Sequence, residues 1–457
     1  MGLVSIAQKT VDMAVKEGAS QAEASVFKVD NALTRYTKNM IHQNVQSSTY
    51  YLNLEVVVDG NKLGSTGINS VKDESLKKAI ETALKIARVS APDPEFKSLV
   101  SPKPVTALPG TYYTSTADLS PEDRVDAVRT IIETALDYNK EVKWSAGSIQ
   151  NQSMGIAIAN SLGVEAETKA TRATVEVNTR AGADDVEGAG YAASFEMDVK
   201  KFDYESLANS AAKDAVNSIN PKTIPIGDYE AILKPEAVST FTRFIGMLGF
   251  SARSYQEGYS FLTDKIGSQV FDEKLTIVDD GRSLDTFNAV PFDGEGSPKK
   301  RISLVKNGIP ENLVYDNYTA RKDDTESTGH SLPKFSVGFF YRGVPMPVNM
   351  IVGTGDTSVD EMIEDTKKGV YMTRLHYVNP IRRDKAVVSG LTRDACWYIE
   401  NGEIKHSIKV MRFTDAVPRV MGSIDSLGSE STVRKTSSVT TPFIKVPSFR
   451  FTGQSEF

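Results

Sequence analysis

The chain has 457 residues, 40% apolar and 25% charged, with a formal net charge of −6. That length exceeds one ordinary core and predicts two or three domains. The acidic balance excludes a general nucleic-acid binder, and no apolar run is long enough to span a bilayer. A single cysteine, Cys396, excludes an internal disulfide and fits a reducing compartment. The first residues carry Lys9 and Lys16 among scattered apolar positions, without the continuous apolar core of a secretory leader. Ile6 stands where a myristoylation signal after Met1-Gly2 needs Ser or Thr. A cytoplasmic protein is expected, with neither membrane nor nucleic acid as partner.

Residues 1–100 read as a helix–sheet module. Val4, Ala7, Val11 and Ala14 recur at helical spacing, and Gly18 ends the helix. Strands are expected over Ala22–Val29 and Leu33–Met40. Leu52, Leu54, Val56 and Val58 alternate as in a half-buried strand, turned by Asp59-Gly60. Leu76, Ile80, Ala83 and Ala87 share one face of a helix that stops before Pro92. Five prolines between residues 91 and 110 prevent helix and central strand and mark a linker.

Residues 101–222 form a second such module. Ser120 is the expected N-cap, Pro121 the first helical residue, and Glu122 and Asp123 suit the positive helix end. Strands are expected at Val142–Trp144, Gly155–Ala159 and Ala166–Thr179, with a turn at Asn160 to Gly163. A helix over Tyr204–Ser218 closes the module.

Residues 223–457 read as a larger antiparallel β-rich domain. A helix over Pro235–Leu248 directs Ala237, Phe241, Phe244 and Leu248 inward. Short apolar runs punctuated by Gly, Pro, Asn and Asp follow, among them Leu275–Val278, Ile302–Val305, Lys334–Phe340, Asn349–Val352, Thr373–Tyr377 and Cys396–Ile399. The fold class is α+β: two N-terminal helix–sheet modules, then the β-rich C-terminal domain. The basic steps Lys299-Lys300-Arg301 and Arg382-Arg383 are short and read as solvated turns.

The densest punctuation lies between Pro291 and Pro333. Phe292-Asp293-Gly294-Glu295-Gly296 lets backbone approach backbone closely. Asn307-Gly308 is a strong hairpin signal. Thr319-Ala320-Arg321 and Ser327-Thr328-Gly329-His330 complete the stretch. Joined in this order, these motifs resemble the TldD/PmbA family, in its PmbA (TldE) branch, and the resemblance covers nearly the whole chain.

The TldD branch of that family carries His-Glu-x-x-x-His on the helix opening its C-terminal domain, with a cysteine near its C-terminus as third zinc ligand. The matching stretch here is Pro235-Glu236-x-x-x-Thr240. Proline has no ligand atom, and a neutral hydroxyl replaces an imidazole poorly. His42, His330, His376 and His406 are dispersed, so no H-E-x-x-H pair exists either. Cys396 reads as a small core residue beside Trp397. No catalytic or metal-ligating residue is therefore assigned, and no cofactor is expected on this chain; zinc is expected on a partner subunit.

The resemblance implies a subunit that binds unfolded peptide and pairs with a metal-bearing, TldD-like paralogue or with itself. His330, Arg321, Asp293 and Glu295 are the candidate peptide or interface contacts, with His330 read first as a side chain that hydrogen-bonds backbone and orders its loop. Two alternatives stand beside this. One is a self-standing peptidase using Glu236 with dispersed ligands. The other is a protein-binding regulator, since relatives carry the name of gyrase modulators.

Overall fold

The computed structural model describes residues 2–183, 186–334, 343–434 and 439–454. Of the run expected at Lys334–Phe340, all but Lys334 lies outside the described residues.

Helix α1 (Leu3–Lys16) buries Ile6, Ala7, Val11 and Ala14. It leads into β1 (Gln21–Thr37), β2 (Met40–Val58), β3 (Lys62–Ile68) and helix α2 (Asp73–Val89). Lys38 and Asn39, both at positive φ, close the β1–β2 hairpin in two residues, the geometry that matches strand twist. The two strands expected at Ala22–Val29 and Leu33–Met40 are one as far as Thr37, after which Lys38-Asn39 turns the chain and Met40 opens β2. Asp30 and Asn31 between them stay in the ladder, facing Ser48 and Ser47 on one side and Ser153 and Gln152 on the other.

The proline-rich linker is extended but not detached. It buries Phe96, Leu99 and Val100 before reaching α3 (Thr114–Ala117). Helix α4 (Pro121–Tyr138) starts on a full capping box between Ser120 and Asp123. β4 (Val142–Asn160), β5 (Glu165–Ala181), β6 (Gly188–Glu196) and α5 (Tyr204–Asn217) complete the second module.

The two modules share one six-stranded sheet, ordered β3-β2-β1-β4-β5-β6. The antiparallel β1–β4 pair is its centre, and the helix–three strands–helix order runs outward from it twice. Both outer strands receive a helix by the same device. A Cβ on Gly64 of β3 would lie 2.2 Å from the Ala83 carbonyl of α2. One on Gly190 of β6 would lie 1.8 Å from the Ala211 carbonyl of α5. Glycine on the strand and alanine on the helix let the two backbones meet. Arg124 of α4, fully buried, donates to Thr34 Oγ1 at 3.0 Å and Asn44 Oδ1 at 3.1 Å, tying that helix to β1 and β2.

The C-terminal part contains β7 (Gly227–Leu233), α6 (Pro235–Gly249), α7 (Ala252–Gln256), β8 (Ile277–Asp280), β9 (Arg301–Lys306) and β10 (Ile309–Pro310). Then come α8 (Asn317–Lys322), β11 (Met350–Val352), α9 (Val359–Glu364), β12 (Lys368–Arg382), β13 (Val387–Glu400) and β14 (Glu403–Ile408). β15 (Met411–Ala416), α10 (Val417–Val420), β16 (Ser426–Arg434) and β17 (Val439–Gln454) end it. Asn307-Gly308, both at positive φ, makes the β9–β10 hairpin.

These strands form a second sheet of 11. Pairing is mostly antiparallel, but β7–β12 and β11–β17 are parallel. β7 also pairs antiparallel with β17, so β17, β15, β13, β12 and β7 close into a ring. Helix α6 is buried on nearly every side, as an interior helix is, with Phe241 against Phe413 and Phe449 at ring-centroid distances of 6.1 and 5.9 Å. The first sheet turns its helix-free face toward this domain, where Ile158, Val164 and Ala166 meet Phe292 and Val100. Among the described residues, no helix is long and apolar enough to cross a membrane.

Gly190→Ala should destabilise the fold by about 1–3 kcal/mol, because strand and helix backbones must separate. Gly67→Ala, with its nearest neighbour at 3.9 Å, should fall within about 0.5 kcal/mol of the parent in urea denaturation.

Candidate functional site

The stretch singled out between Pro291 and Pro333 folds as two loops laid against each other. Asp293 holds them. Its Oδ1 accepts from the Glu295 and Ser297 amides at 3.0 and 2.9 Å, and its Oδ2 accepts from the Ser331 amide at 2.9 Å. Gly294 donates to the Ser331 carbonyl at 2.8 Å. A Cβ on Gly329 would lie 2.2 Å from the Pro298 carbonyl, so glycine is required for the loops to touch. Burial raises the Asp293 carboxyl above its ordinary value, and the three amides oppose that shift.

Beside this knot, Lys334 crosses to the first sheet. Its Nζ lies 2.9 Å from Glu23 Oε1 and 2.8 Å from Glu55 Oε1. Glu23 and Glu55 face each other across β1 and β2, a like-charge pair that is destabilising on its own. Burial lowers the Lys334 ammonium, but Glu23, Glu55 and Glu295 outweigh it and hold the group well above its ordinary value. Burial raises Glu23, with Lys334 opposing. Burial, then Asp293 and Asp316, push Glu295 well above its ordinary 4.5. Glu295 Oε2 accepts from the Asn317 amide at 3.0 Å, at the start of α8.

A cleft of about 230 Å³ opens here, with Glu55, Glu295, Arg253, Arg321 and Lys334 among its walls. The linker forms its far side. Asn317 Nδ2 donates to the Ser98 carbonyl at 3.0 Å, Arg321 Nη2 to the Leu99 carbonyl at 3.4 Å, and the Tyr318 hydroxyl to Asp93 at 3.1 Å. A larger cleft of about 670 Å³ lies where β6 approaches β11, β16 and β17. Phe195, Phe287, Ile351 and Val352 give it apolar walls, and Thr354, Ser431 and Thr440 give it hydroxyls.

The four candidate contacts thus separate. Glu295 and Arg321 line the smaller cleft, while Asp293 and His330 are interior. His330 has no exposed side-chain surface; its Nε2 lies 3.0 Å from Asp279 Oδ1 and its Nδ1 2.9 Å from the Thr328 carbonyl. It orders the loop. Asp279 Oδ2 accepts in turn from the Asn349 amide at 2.7 Å.

Lys299, expected in a solvated turn, is buried among Asp279, Asp293 and Arg172, and burial lowers its ammonium. Asp279, then Asp293, oppose that shift. Glu23, Glu55 and Lys334 were not singled out from sequence. The available signal was a glutamate flanked by alanines in β1 and another amid Leu and Val in β2.

The position matching a zinc motif is the first turn of α6. Pro235 supplies no donor atom, and the Thr240 hydroxyl donates back to the Glu236 carbonyl at 3.3 Å. Cys396 is buried in β13, and burial pushes its thiol up to about 12, far from the thiolate that zinc needs. Among the described residues, no three His, Cys, Asp or Glu side chains are placed to hold a metal ion. This donor set does not fit a tetrahedral zinc.

An α+β chain of this kind, with a glycine-rich knot joining its two sheets, is a known architecture. Residues 226–453 match the PmbA/TldA metallopeptidase C-terminal domain, and residues 115–219 match the PmbA/TldA metallopeptidase central domain. The chain belongs to the PmbA/TldD family. It is 23% identical over 400 residues to metalloprotease PmbA of Escherichia coli O157:H7, covering 86% of this chain and 84% of that one. A metalloprotease of Methanocaldococcus jannaschii is 24% identical over 378 residues, 80% of each chain.

TldE from Thermococcus kodakarensis has the same fold, with a TM-score of 0.87 at 21% identity, covering 98% of this chain and all of that one. A candidate modulator of a DNA gyrase from Thermotoga maritima superposes with a TM-score of 0.86 at 21% identity, covering 98% of this chain and 99% of that one.

Glu295 sets a pH dependence. Unfolded, its carboxyl ionises near 4.5; folded, it keeps its proton to higher pH. The stability this lends is complete below 4.5 and is lost as pH rises through the folded-state value. Glu295→Gln should therefore flatten the decline of stability as pH rises above 4.5, and exceed the parent at the alkaline end. Superimposable urea-denaturation profiles for the two proteins would show that the carboxyl is ionised throughout.

Proposed function

We propose that this chain is a non-catalytic subunit of a TldD/TldE-type metallopeptidase, gripping unfolded peptide while a metal-bearing paralogue cleaves it. The observation that carries the reading is the first turn of α6. Where the catalytic branch of the family has imidazoles, this chain has Pro235 and a Thr240 hydroxyl already spent on its own helix. Glu236 alone has no metal-activated water to deprotonate. No metal-dependent step is assigned to this chain, and zinc belongs to the partner.

The larger cleft supports the binding half of the proposal. Apolar walls, a few hydroxyls and the charged Glu196, Lys201 and Asp285 suit an extended stretch of peptide, held without strict sequence preference. The smaller cleft, with Glu295 and Arg321 on its walls, suits a polar side chain or a chain end. The compartment is the cytoplasm, in keeping with the single buried thiol. The likeness to a candidate gyrase modulator supports a second reading, a regulator that binds a folded protein.

Purification alone, and with a His-Glu-x-x-x-His paralogue from the same genome, separates these readings. Zinc by mass spectrometry and cleavage of a flexible peptide should both be absent from the lone chain and present in the co-purified pair. Stoichiometric zinc and cleavage by the lone chain would make it a peptidase in its own right. No complex and no peptide binding would leave the regulator.

A further inference from the structure

We propose that Arg172 and Lys299, in the seam between the two sheets, form a site for a carboxylate carried by peptide in the larger cleft. The inference rests on the peptide-gripping reading above and names a chemistry that the grip prefers.

Arg172 stands on the helix-free face of β5, in the row that also holds Ala166 against Phe292. Its guanidinium lies 5.7 Å from the centre of the Phe287 ring, which walls the larger cleft. Lys299 enters the seam from the knotted loops. Two glycines make room for it. A Cβ on Gly281 would lie 2.3 Å from Lys299 Cδ, and one on Gly329 would lie 2.8 Å from Lys299 Cα. The lysine is thus led inward, and it keeps only 8% of its exposure.

Among the described residues, neither side chain makes a hydrogen bond or an ion pair. The carboxylates whose fields reach Lys299 are committed elsewhere. Asp279 faces His330 and the Asn349 amide, and Asp293 takes its three amides. For Arg172 burial acts unopposed and pulls the guanidinium down to about 10. Arg172 also helps to lower the Lys299 ammonium, so two like charges stand in each other's field.

Other interior cations of the chain have acceptors. Lys445, 1% exposed, has Asp365 Oδ2 at 2.8 Å, and Arg124 has Thr34 and Asn44. Burying a charge without a partner is costly, and burying two together is costlier. The seam beside the larger cleft is where this chain leaves that cost standing.

An anion between the two cations removes it. A guanidinium fork takes both oxygens of a carboxylate, and an ammonium beside it adds a further charge-assisted bond. A dianion such as phosphate would meet stronger repulsion from Asp279 and Asp293, so a single negative charge fits better. An acidic side chain and a free chain end present the same group, and both come with a peptide.

Fluorescence anisotropy on the lone full chain tests this with flexible peptides of one length. One is uncharged and amidated, one has a free C-terminus, and one is amidated with a single glutamate. A carboxylate-bearing peptide should bind about tenfold tighter than the uncharged amide, and which one does so identifies the source. Arg172→Gln and Lys299→Met should each abolish that preference and leave the affinity for the amide unchanged. Lys169→Gln, an exposed cation on the other face of β5, should keep the preference. Independently, millimolar N-acetylglycinate at matched ionic strength should raise the melting midpoint of the parent but not of Arg172→Gln. Equal binding of all the peptides would overturn the site and leave the peptide reading intact. Binding of none, with N-acetylglycinate still stabilising the parent, would sink the peptide as carrier and keep the site. Neither preference nor stabilisation would overturn the proposal outright.

Discussion

A single carboxylate, that of Asp293, gathers three backbone amides from two separate loops. Everything at the junction of the two sheets follows from that convergence. It fixes the loop that places Glu295 on the cleft wall, and it fixes the segment from Ser331 that delivers Lys334 to Glu23 and Glu55. The amides are fixed dipoles already pointing at the oxygens, so a buried acid is tolerated where an isolated one would be expelled. Glycine at 294 and 329 is needed because the loops touch backbone to backbone, with no room for a side chain between them.

The elements that local chemistry dictates were legible in the sequence. The capping residue Ser120, the Asn307-Gly308 turn and the inward phenylalanines of the helix beginning at Pro235 all sit where their spacing puts them. Long strands were harder to read. Polar Asp30 and Asn31 interrupt the apolar pattern of β1, yet cross-strand serines and a glutamine keep them in the ladder. Glu55 misleads for a related reason. Alternation assigns it to the polar face of β2, and that face is covered by a domain starting more than a hundred residues later. Period-two patterning separates the two faces of a strand, but cannot say what lies over each. The knot around Asp293 was visible as glycine density; its charged companions came from remote strands and had no shared local signature.

The first sheet is built twice from one plan. Helix, three strands and helix run outward from the central β1–β4 pair in both directions, and glycine against alanine seats the outer helix on each side. The copies then diverge in their surroundings. The linker lies against the second copy and the cleft, joining the modules to α8 through three donors, from Asn317, Tyr318 and Arg321. A segment that looks like a spacer by composition is in fact a strap, because its Ser98 and Leu99 carbonyls and its Asp93 carboxylate accept from the domain beneath.

Helix α6 is buried on nearly every side and held by phenylalanine contacts to β15 and β17. Its anchorage is hydrocarbon, independent of any ion at its first turn. In such an arrangement the scaffold and the reagent are separable traits: the opening turn can change its chemistry across a lineage while the enclosure persists. Chains at one-fifth identity can then keep this outline while their opening turns carry different residues.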